Sequence, residues 1–151
     1  MTLENVQEVL HLSPTQAGML FHSAARPDSG VYVAQIRCTL VGALDVDAFK
    51  RAWDGAIRRH PALRAAFVWD GVDEPLQVIR EEVHLRWTEL DWRDLPEADR
   101  AAELERRLDE DRRTGFDLAV APLMRMLLIR VGEQTHQLVW TCHHIVADGW
   151  S

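Results

Sequence analysis

The stretch from Leu123 to His144, LMRMLLIRVGEQTHQLVWTCHH, decides the fold of this chain. It contains two apolar segments, at 123–131 and 135–144, separated by Gly132-Glu133-Gln134. Two apolar runs joined by a short segment containing glycine are typical of a β-hairpin. The sequence therefore predicts that the chain closes with two paired strands of a sheet.

The side chains of a strand alternate between two faces, so the segment 135–144 can be divided by position. One face carries His136, Leu138, Trp140, Cys142 and His144, and the other carries Gln137, Val139, Thr141 and His143. The first face is the more apolar. We therefore expect His144 to point toward an interior cleft and His143 to point to the opposite face.

Helix signals begin upstream, at Ser13-Pro14-Thr15-Gln16, which supplies a capping hydroxyl, a proline at the first helical position and a glutamine three residues after the cap. This pattern predicts a helix over about 13–25, ended by Pro27-Asp28-Ser29-Gly30. Its apolar stripe is Ala17, Leu20, Phe21 and Ala24, which recur at helical spacing. Residues 31–41 alternate as in a half-buried strand. Asp45 is placed to cap a second helix, which the His60-Pro61 pair ends near residue 59.

The remaining elements alternate in the same way. We expect strands at 63–69, 75–80 and 83–89, and a helix over 96–113 whose Arg/Glu run at 103–113 forms a solvated face. Trp53, Trp69 and Trp87 are expected in the core. Together the elements predict an α+β fold, a mixed β-sheet covered by helices on one side.

Composition limits the function. The 151 residues are 47% hydrophobic and 27% charged, which is typical of one soluble globular domain. A net charge of −7 disfavours nucleic acid and anionic membranes as partners. Cys38 and Cys142 are far apart and form no disulfide framework, and no segment approaches the ~20 apolar residues of a membrane span. We therefore expect a cytoplasmic location.

The candidate chemistry lies at the end, in Cys142-His143-His144-Ile145-Val146-Ala147-Asp148-Gly149. His144 is the candidate base, because an imidazole titrates near neutral pH. Asp148 is assigned to geometry, and Gly149 allows a loop with close backbone approach. Two alternatives stay open from the residues alone: a purely structural histidine pair, and a metal site formed by His136, Cys142, His144 and Asp148.

Four ordered motifs resemble the condensation domains of nonribosomal peptide synthetases. The segment 143–149 matches the HHxxxDG signature of that family, and 12–22, LSPTQAGMLFH, resembles its opening helix. The other two are 59–67, RHPALRAAF, which resembles RHxxLRxxF, and 116–125, FDLAVAPLMR, which resembles FDLxxxPLxR. The motifs span nearly the whole chain.

The resemblance implies a role for each site residue. His144 would act as general base or position the acceptor amine. His143 and Asp148 would shape the motif, with Asp148 paired to an arginine. Gly149 would lie beside the reacting thioester, and Arg59 and Arg64 would give structural support.

The resemblance also implies a chloramphenicol-acetyltransferase-like fold of two lobes, of which residues 1–151 match the N-terminal one. The C-terminal lobe would supply the opposite wall of the active-site tunnel, so the chain is either an excised piece, a fragment of a longer reading frame or a natural half-domain, and alone we expect it to be inactive. The implied partners are donor and acceptor carrier-protein domains and neighbouring synthetase modules. Their phosphopantetheine arms carry the substrates, so no cofactor or metal is expected in this chain.

The implied activity is amide-bond formation between an acyl or peptidyl thioester and an aminoacyl thioester. Two alternatives remain. An epimerisation domain shares HHxxxDG and would use the histidine to move an α-proton, and a half-domain could serve as a non-catalytic carrier-docking module.

Overall fold

The computed structural model describes residues 4–26 and 29–147. Within these ranges the chain forms three α-helices and seven β-strands. The helices are α1 (Pro14–Ala25), α2 (Val46–Arg59) and α3 (Glu97–Thr114). The strands are β1 (Val6–His11), β2 (Val33–Val41), β3 (Ala65–Val68), β4 (Leu76–Arg80), β5 (Arg86–Asp91), β6 (Met124–Gly132) and β7 (Thr135–His143). The α+β class predicted from the sequence is confirmed.

The helices α1 and α2 begin at the capping residues predicted from the sequence, Ser13 and Asp45. The Ser13 hydroxyl accepts from the backbone N–H of Gln16, whose side chain in turn accepts from the Ser13 N–H, so the capping box is complete. Asp45 caps α2 by accepting from the N–H of Ala48 at 2.9 Å. The last turn of α2 stops at His60, before proline.

The hairpin of β6 and β7 is confirmed and lies in the middle of a four-stranded sheet of order β2-β7-β6-β5. β2 and β6 both pair antiparallel with β7, whereas β5 pairs parallel with β6. The parallel pair is connected by α3, as a crossover between parallel strands requires. The sheet is therefore mixed, as predicted.

The expectation that helices cover one side of the sheet is wrong. The ring of Trp53 in α2 lies 5.6 Å from the ring of Trp140 on one face of β7. Asp111 in α3 binds Thr141, which belongs to the other face. Adjacent residues of β7 are accordingly buried, including Leu138 and Val139. Both faces of β7 carry apolar side chains that must be buried, so α2 packs on one face and α3 on the other.

A second sheet, of order β1-β4-β3, is entirely antiparallel. It packs with α1 and the segment after β7 around one cluster of buried side chains: Leu20, Ala65, Phe67, Ile79, Leu118, Leu123, Ile145 and Val146. β1 was not predicted from the sequence, because five of its six residues are exposed and it lies at the edge of its sheet. Edge strands with polar side chains give a weak apolar pattern.

Two aromatic side chains differ from expectation. Trp69 is 39% exposed at the end of β3, so its assignment to the core is wrong, while Trp53 and Trp87 pack against the core as predicted. Phe21, which follows the helical spacing of the α1 stripe, is 71% exposed. Among the described residues, no helix has the length and apolar character needed to cross a membrane.

Candidate active site

The histidine pair lies where β7 ends and a turn begins. His143 is the last residue of β7, and its backbone N–H donates to the Leu123 carbonyl at 3.0 Å. The N–H of His144 donates to the carbonyl of Tyr32 at 2.8 Å. The backbone of the pair is thus held from both sides, by the chain entering β6 and by the turn that leads into β2.

His143 is 2% exposed, and hydrogen bonds engage both of its ring nitrogens. Nδ1 accepts from the N–H of Ile145 at 3.2 Å, so the ring proton is assigned to Nε2, which donates to Ser23 Oγ at 3.1 Å. Burial, and to a lesser degree the neighbouring His144, lowers the pKa of His143 from 6.5 to about 4. His143 is therefore neutral at pH 7.

His143 also lines a cavity of about 430 Å³ together with Ser23 and Phe116. The contact with Ser23 does not make a nucleophile of the serine, because Nε2 already carries the proton. Aromatic rings confine the imidazole further: Tyr32 at 6.1 Å and Phe116 at 6.4 Å between centroids, both edge to face. These contacts hold the His143 ring in one orientation.

His144 is oriented differently. Its Nδ1 lies 3.1 Å from the carbonyl oxygen of Ala147, and a carbonyl can only accept, so Nδ1 carries the proton. Nε2 then keeps its lone pair. His144 is half-buried and borders an open depression of about 350 Å³ beside α1, lined also by Ser13, Thr15, Gln16 and Met19. An imidazole fixed in this way can accept a proton from a group in the depression.

The turn, and not strand alternation, sets the direction of His144, because β7 ends one residue earlier. Gln16 stabilises this turn from the first turn of α1. Its Nε2 donates to the carbonyl of Ile145 at 3.3 Å and to Gln77 Oε1 at 2.9 Å. Gln16, which the sequence identified only as part of a capping box, thus also joins α1 and β4 to the turn that follows His143.

Sequence reasoning missed a polar cluster on the α3 side of the sheet. The run at 103–113 was expected to be a solvated face, which is wrong for Asp111. Its carboxylate accepts from Thr141 Oγ1 at 2.7 Å, from Gln35 Nε2 at 2.9 Å and from Arg125 Nε. The Arg125 guanidinium in turn lies 4.2 Å from the Phe116 ring centroid. Arg125, the arginine of the FDLxxxPLxR segment, was the one sequence feature that could have indicated this cluster, because a partly buried arginine needs a carboxylate partner.

The two arginines expected to give support occupy different environments. Arg64 is 4% exposed and donates to the carbonyls of Ile57 at 3.1 Å and Arg80, and to Gln7 Oε1 at 2.7 Å. Arg59 is exposed at the end of α2. Asp148 and Gly149 lie outside the described residues.

The described part of the chain contains no group of three or more His, Cys, Asp or Glu side chains that could hold a metal ion. Burial raises the pKa of the Cys142 thiol to about 11, so at neutral pH it is a protonated core side chain. It packs with Met124, Met126 and Ile57 beneath α2.

Residues 6–151 match the family described as Condensation domain. The chain belongs to this family. It is 44% identical over 147 residues to one subunit of the linear gramicidin synthase of Brevibacillus parabrevis, and 42% identical over 145 residues to bacitracin synthase 3 of Bacillus licheniformis. These matches cover 97% and 96% of this chain but 2% of each synthase chain.

Solved structures agree on the fold. The four-domain nonribosomal peptide synthetase holo-AB3403 superposes with a TM-score of 0.84 at 19% identity, covering 96% of this chain and 11% of that one. The starter condensation domain of rhizomide synthetase RzmA gives a TM-score of 0.83 at 24% identity, covering 95% and 36%. The condensation-domain fold implied by the sequence motifs is confirmed.

Proposed function

We propose that this chain contributes the histidine side of a condensation site that forms an amide between two carrier-bound thioesters. The observation that carries the proposal is the state of His144: Nδ1 donates to the Ala147 carbonyl, which leaves Nε2 as an acceptor, and the residue borders an open depression. Relatives that are peptide synthases at 42–44% identity support the same reaction class.

The reaction joins an acceptor amine to a donor acyl thioester. The amine nitrogen attacks the thioester carbon, the C–N bond forms, the C–S bond breaks, and the sulfur leaves. In the proposed mechanism His144 Nε2 takes a proton from the amine and returns one to the leaving thiolate, so the products are an amide and a thiol. The Ala147 carbonyl stabilises the imidazolium that exists between these two transfers.

His143 assists by remaining uncharged. A second cation next to the His144 imidazolium would oppose its formation, and the lowered pKa of His143 prevents this at neutral pH. The hydrogen bond from His143 to Ser23 meanwhile ties the end of β7 to α1. Asp148 and Gly149 are proposed to complete the motif, with Asp148 paired to an arginine and Gly149 beside the thioester.

The substrates are proposed to arrive on phosphopantetheine arms of donor and acceptor carrier proteins, as part of a multidomain synthetase in the cytoplasm. The chain covers 36% of the starter condensation domain it resembles. That share supports a site completed by a second lobe, which would form the opposite wall of the substrate passage.

The test is His144→Ala in the full-length protein that carries this sequence, with His84→Ala as control because His84 is an exposed loop residue. Single-turnover reactions use donor and acceptor carriers loaded with thioesters. We expect amide formation to fall roughly 10²–10⁴-fold in the His144 variant and to stay at the parental rate in the control. An unchanged rate in His144→Ala would exclude the proposed role.

The same reactions run in D₂O separate condensation from epimerisation. Amide product without deuterium at the α-carbon of the aminoacyl group supports condensation. Exchange at the α-carbon without amide product would assign the chain to epimerisation, and binding of carriers without either reaction would indicate a docking module.

A further inference from the structure

Tyr32 has a backbone conformation that an aromatic residue rarely adopts. Its φ is +62°, in the left-handed region. It lies in a turn closed by the N–H of Val33, which donates to the Gly30 carbonyl at 3.2 Å. The position before the closing residue of such a turn normally takes glycine or asparagine when φ is positive, because a side chain crowds the backbone there.

The turn is fixed by its surroundings. Gly30 also has a positive φ, of +62°, and a Cβ atom at this position would lie 2.9 Å from the carbonyl oxygen of Arg112. The turn is thus pressed against the last turn of α3. On its other side, Ser29 Oγ donates to the Arg26 carbonyl at 2.7 Å and accepts from the N–H of Val31 at 3.2 Å. These contacts hold Tyr32 in its strained conformation.

In this conformation Tyr32 touches both histidines. Its carbonyl accepts the N–H of His144 at 2.8 Å, one step beyond the ladder in which Val33 pairs with His143. Its ring stands edge to face against the His143 ring at 6.1 Å. Strain of this kind is found where the surrounding structure holds a residue for a function.

We propose that Tyr32 is a positioning residue for the histidine pair, with its left-handed backbone directing the carbonyl to His144 and the ring to His143. The inference deepens the proposed function and rests on it for its catalytic consequence. Glycine would satisfy the turn without strain but would supply no ring and would leave the turn free to move. Tyrosine at this position therefore keeps His144 fixed, although the backbone of the turn is strained.

The test compares Tyr32→Gly with Tyr32→Phe, and Val31→Ala serves as a control for a change in the same turn that leaves both histidine contacts intact. Amide formation is measured in the full-length protein, with the melting temperature of each variant. In parallel, ¹⁵N spectra of the histidine rings report the tautomer of His144. This measurement needs no reaction, so it tests the contact even if His144→Ala shows that the proposed function is wrong.

In Tyr32→Gly we expect kcat to fall about tenfold or more with KM for both carriers unchanged. The melting temperature should not fall, because the turn strain is released. The His144 ring should no longer show a single Nδ1–H tautomer, because a turn that is free to move no longer fixes His144 against the Ala147 carbonyl. Tyr32→Phe and Val31→Ala should resemble the parent in every measurement. A parental kcat and tautomer in Tyr32→Gly, or a fall in melting temperature and kcat with the tautomer unchanged, would each overturn the inference.

Discussion

Thr141 Oγ1 donates a 2.7 Å hydrogen bond to Asp111 Oδ2, which fastens α3 to β7 two residues before His143. Gln35 from β2 and Arg125 from β6 bind the same carboxylate. One acidic side chain thus joins a helix to three adjacent strands at the end of the sheet that carries the histidines. Its removal should loosen that end first.

Asp111→Asn is expected to lower the free energy of unfolding by about 1.5–3 kcal/mol, the range for hydrogen bonds to charged groups. The asparagine amide keeps one acceptor oxygen, but its NH₂ group faces side chains that donate to the Asp111 carboxylate in the parent. Urea unfolding measures the loss. The control is Asp109→Asn on the same helix, an exposed residue whose contact with Arg112 spans 3.6 Å, and it should change stability by less than about 0.5 kcal/mol.

Arg64→Ala is expected to destabilise the fold by about 3 kcal/mol, since its buried guanidinium serves several backbone carbonyls that would lose their donor. Two of these carbonyls, Ile57 and Arg58, end α2, where a positive charge is also favoured by the helix dipole. Thermal and urea unfolding of Arg64→Ala and Arg59→Ala distinguish the two arginines. Exposed Arg59 should be within about 0.5 kcal/mol of the parent, and equal losses would contradict this interpretation.

Acid should weaken the fold through His143. Its pKa is 6.5 when exposed and about 4 when folded, so between these values the unfolded chain binds the proton more readily. The contribution is complete above pH 6.5 and is lost as the pH falls toward 4. At 1.36 kcal/mol for each pKa unit it amounts to about 3 kcal/mol.

The measurement is the free energy of unfolding at pH 7, 5.5 and 4 for the parent and for His143→Gln, which cannot titrate in this range and can still donate to Ser23. The parent should lose stability relative to the variant over this range, whereas exposed His84→Gln should follow the parent. Parallel curves for the parent and His143→Gln would show that His143 is not the group involved.

Ser13→Ala removes the acceptor that caps α1 and is expected to cost about 1 kcal/mol. Thr15→Ala, an exposed change in the same first turn, is the matched control and should cost less. Circular dichroism during thermal unfolding measures both. An equal change in the two variants would indicate that helix propensity, and not the cap, accounts for the effect.

The local signals of the chain were sufficient for most of the fold. Ser13, Asp45 and the His60-Pro61 pair each act through atoms within a few residues, so their effect is visible in the sequence. The β6–β7 hairpin has the same property. The motif at 143–149 is short and specific enough to single out the histidine pair as a candidate site, and the roles of its residues stay a prediction.

What the sequence did not show depends on contacts between distant residues. Asp111 resembles its exposed neighbours on α3 until β2, β6 and β7 are placed beside it. β1 is recognised only through its pairing with β4, in which Leu10 lies opposite the distant Gln77. Tyr32 lies in a turn whose Gly30 packs closely against Arg112 of α3, a long-range contact that no local pattern records.

Because β2 pairs antiparallel with β7, β2 can form this pairing only after β7 has been synthesised. Val33 and His143 are partners, with 109 residues between them in the chain. At roughly 5–20 residues per second, the ribosome needs about 5–20 s to deliver that partner. Until then β2 has no strand partner in β7. Its polar side chains Gln35 and Arg37 disfavour pairing with another nascent chain. The histidine pair therefore cannot reach the geometry described above before β7 has been synthesised and has paired with β2.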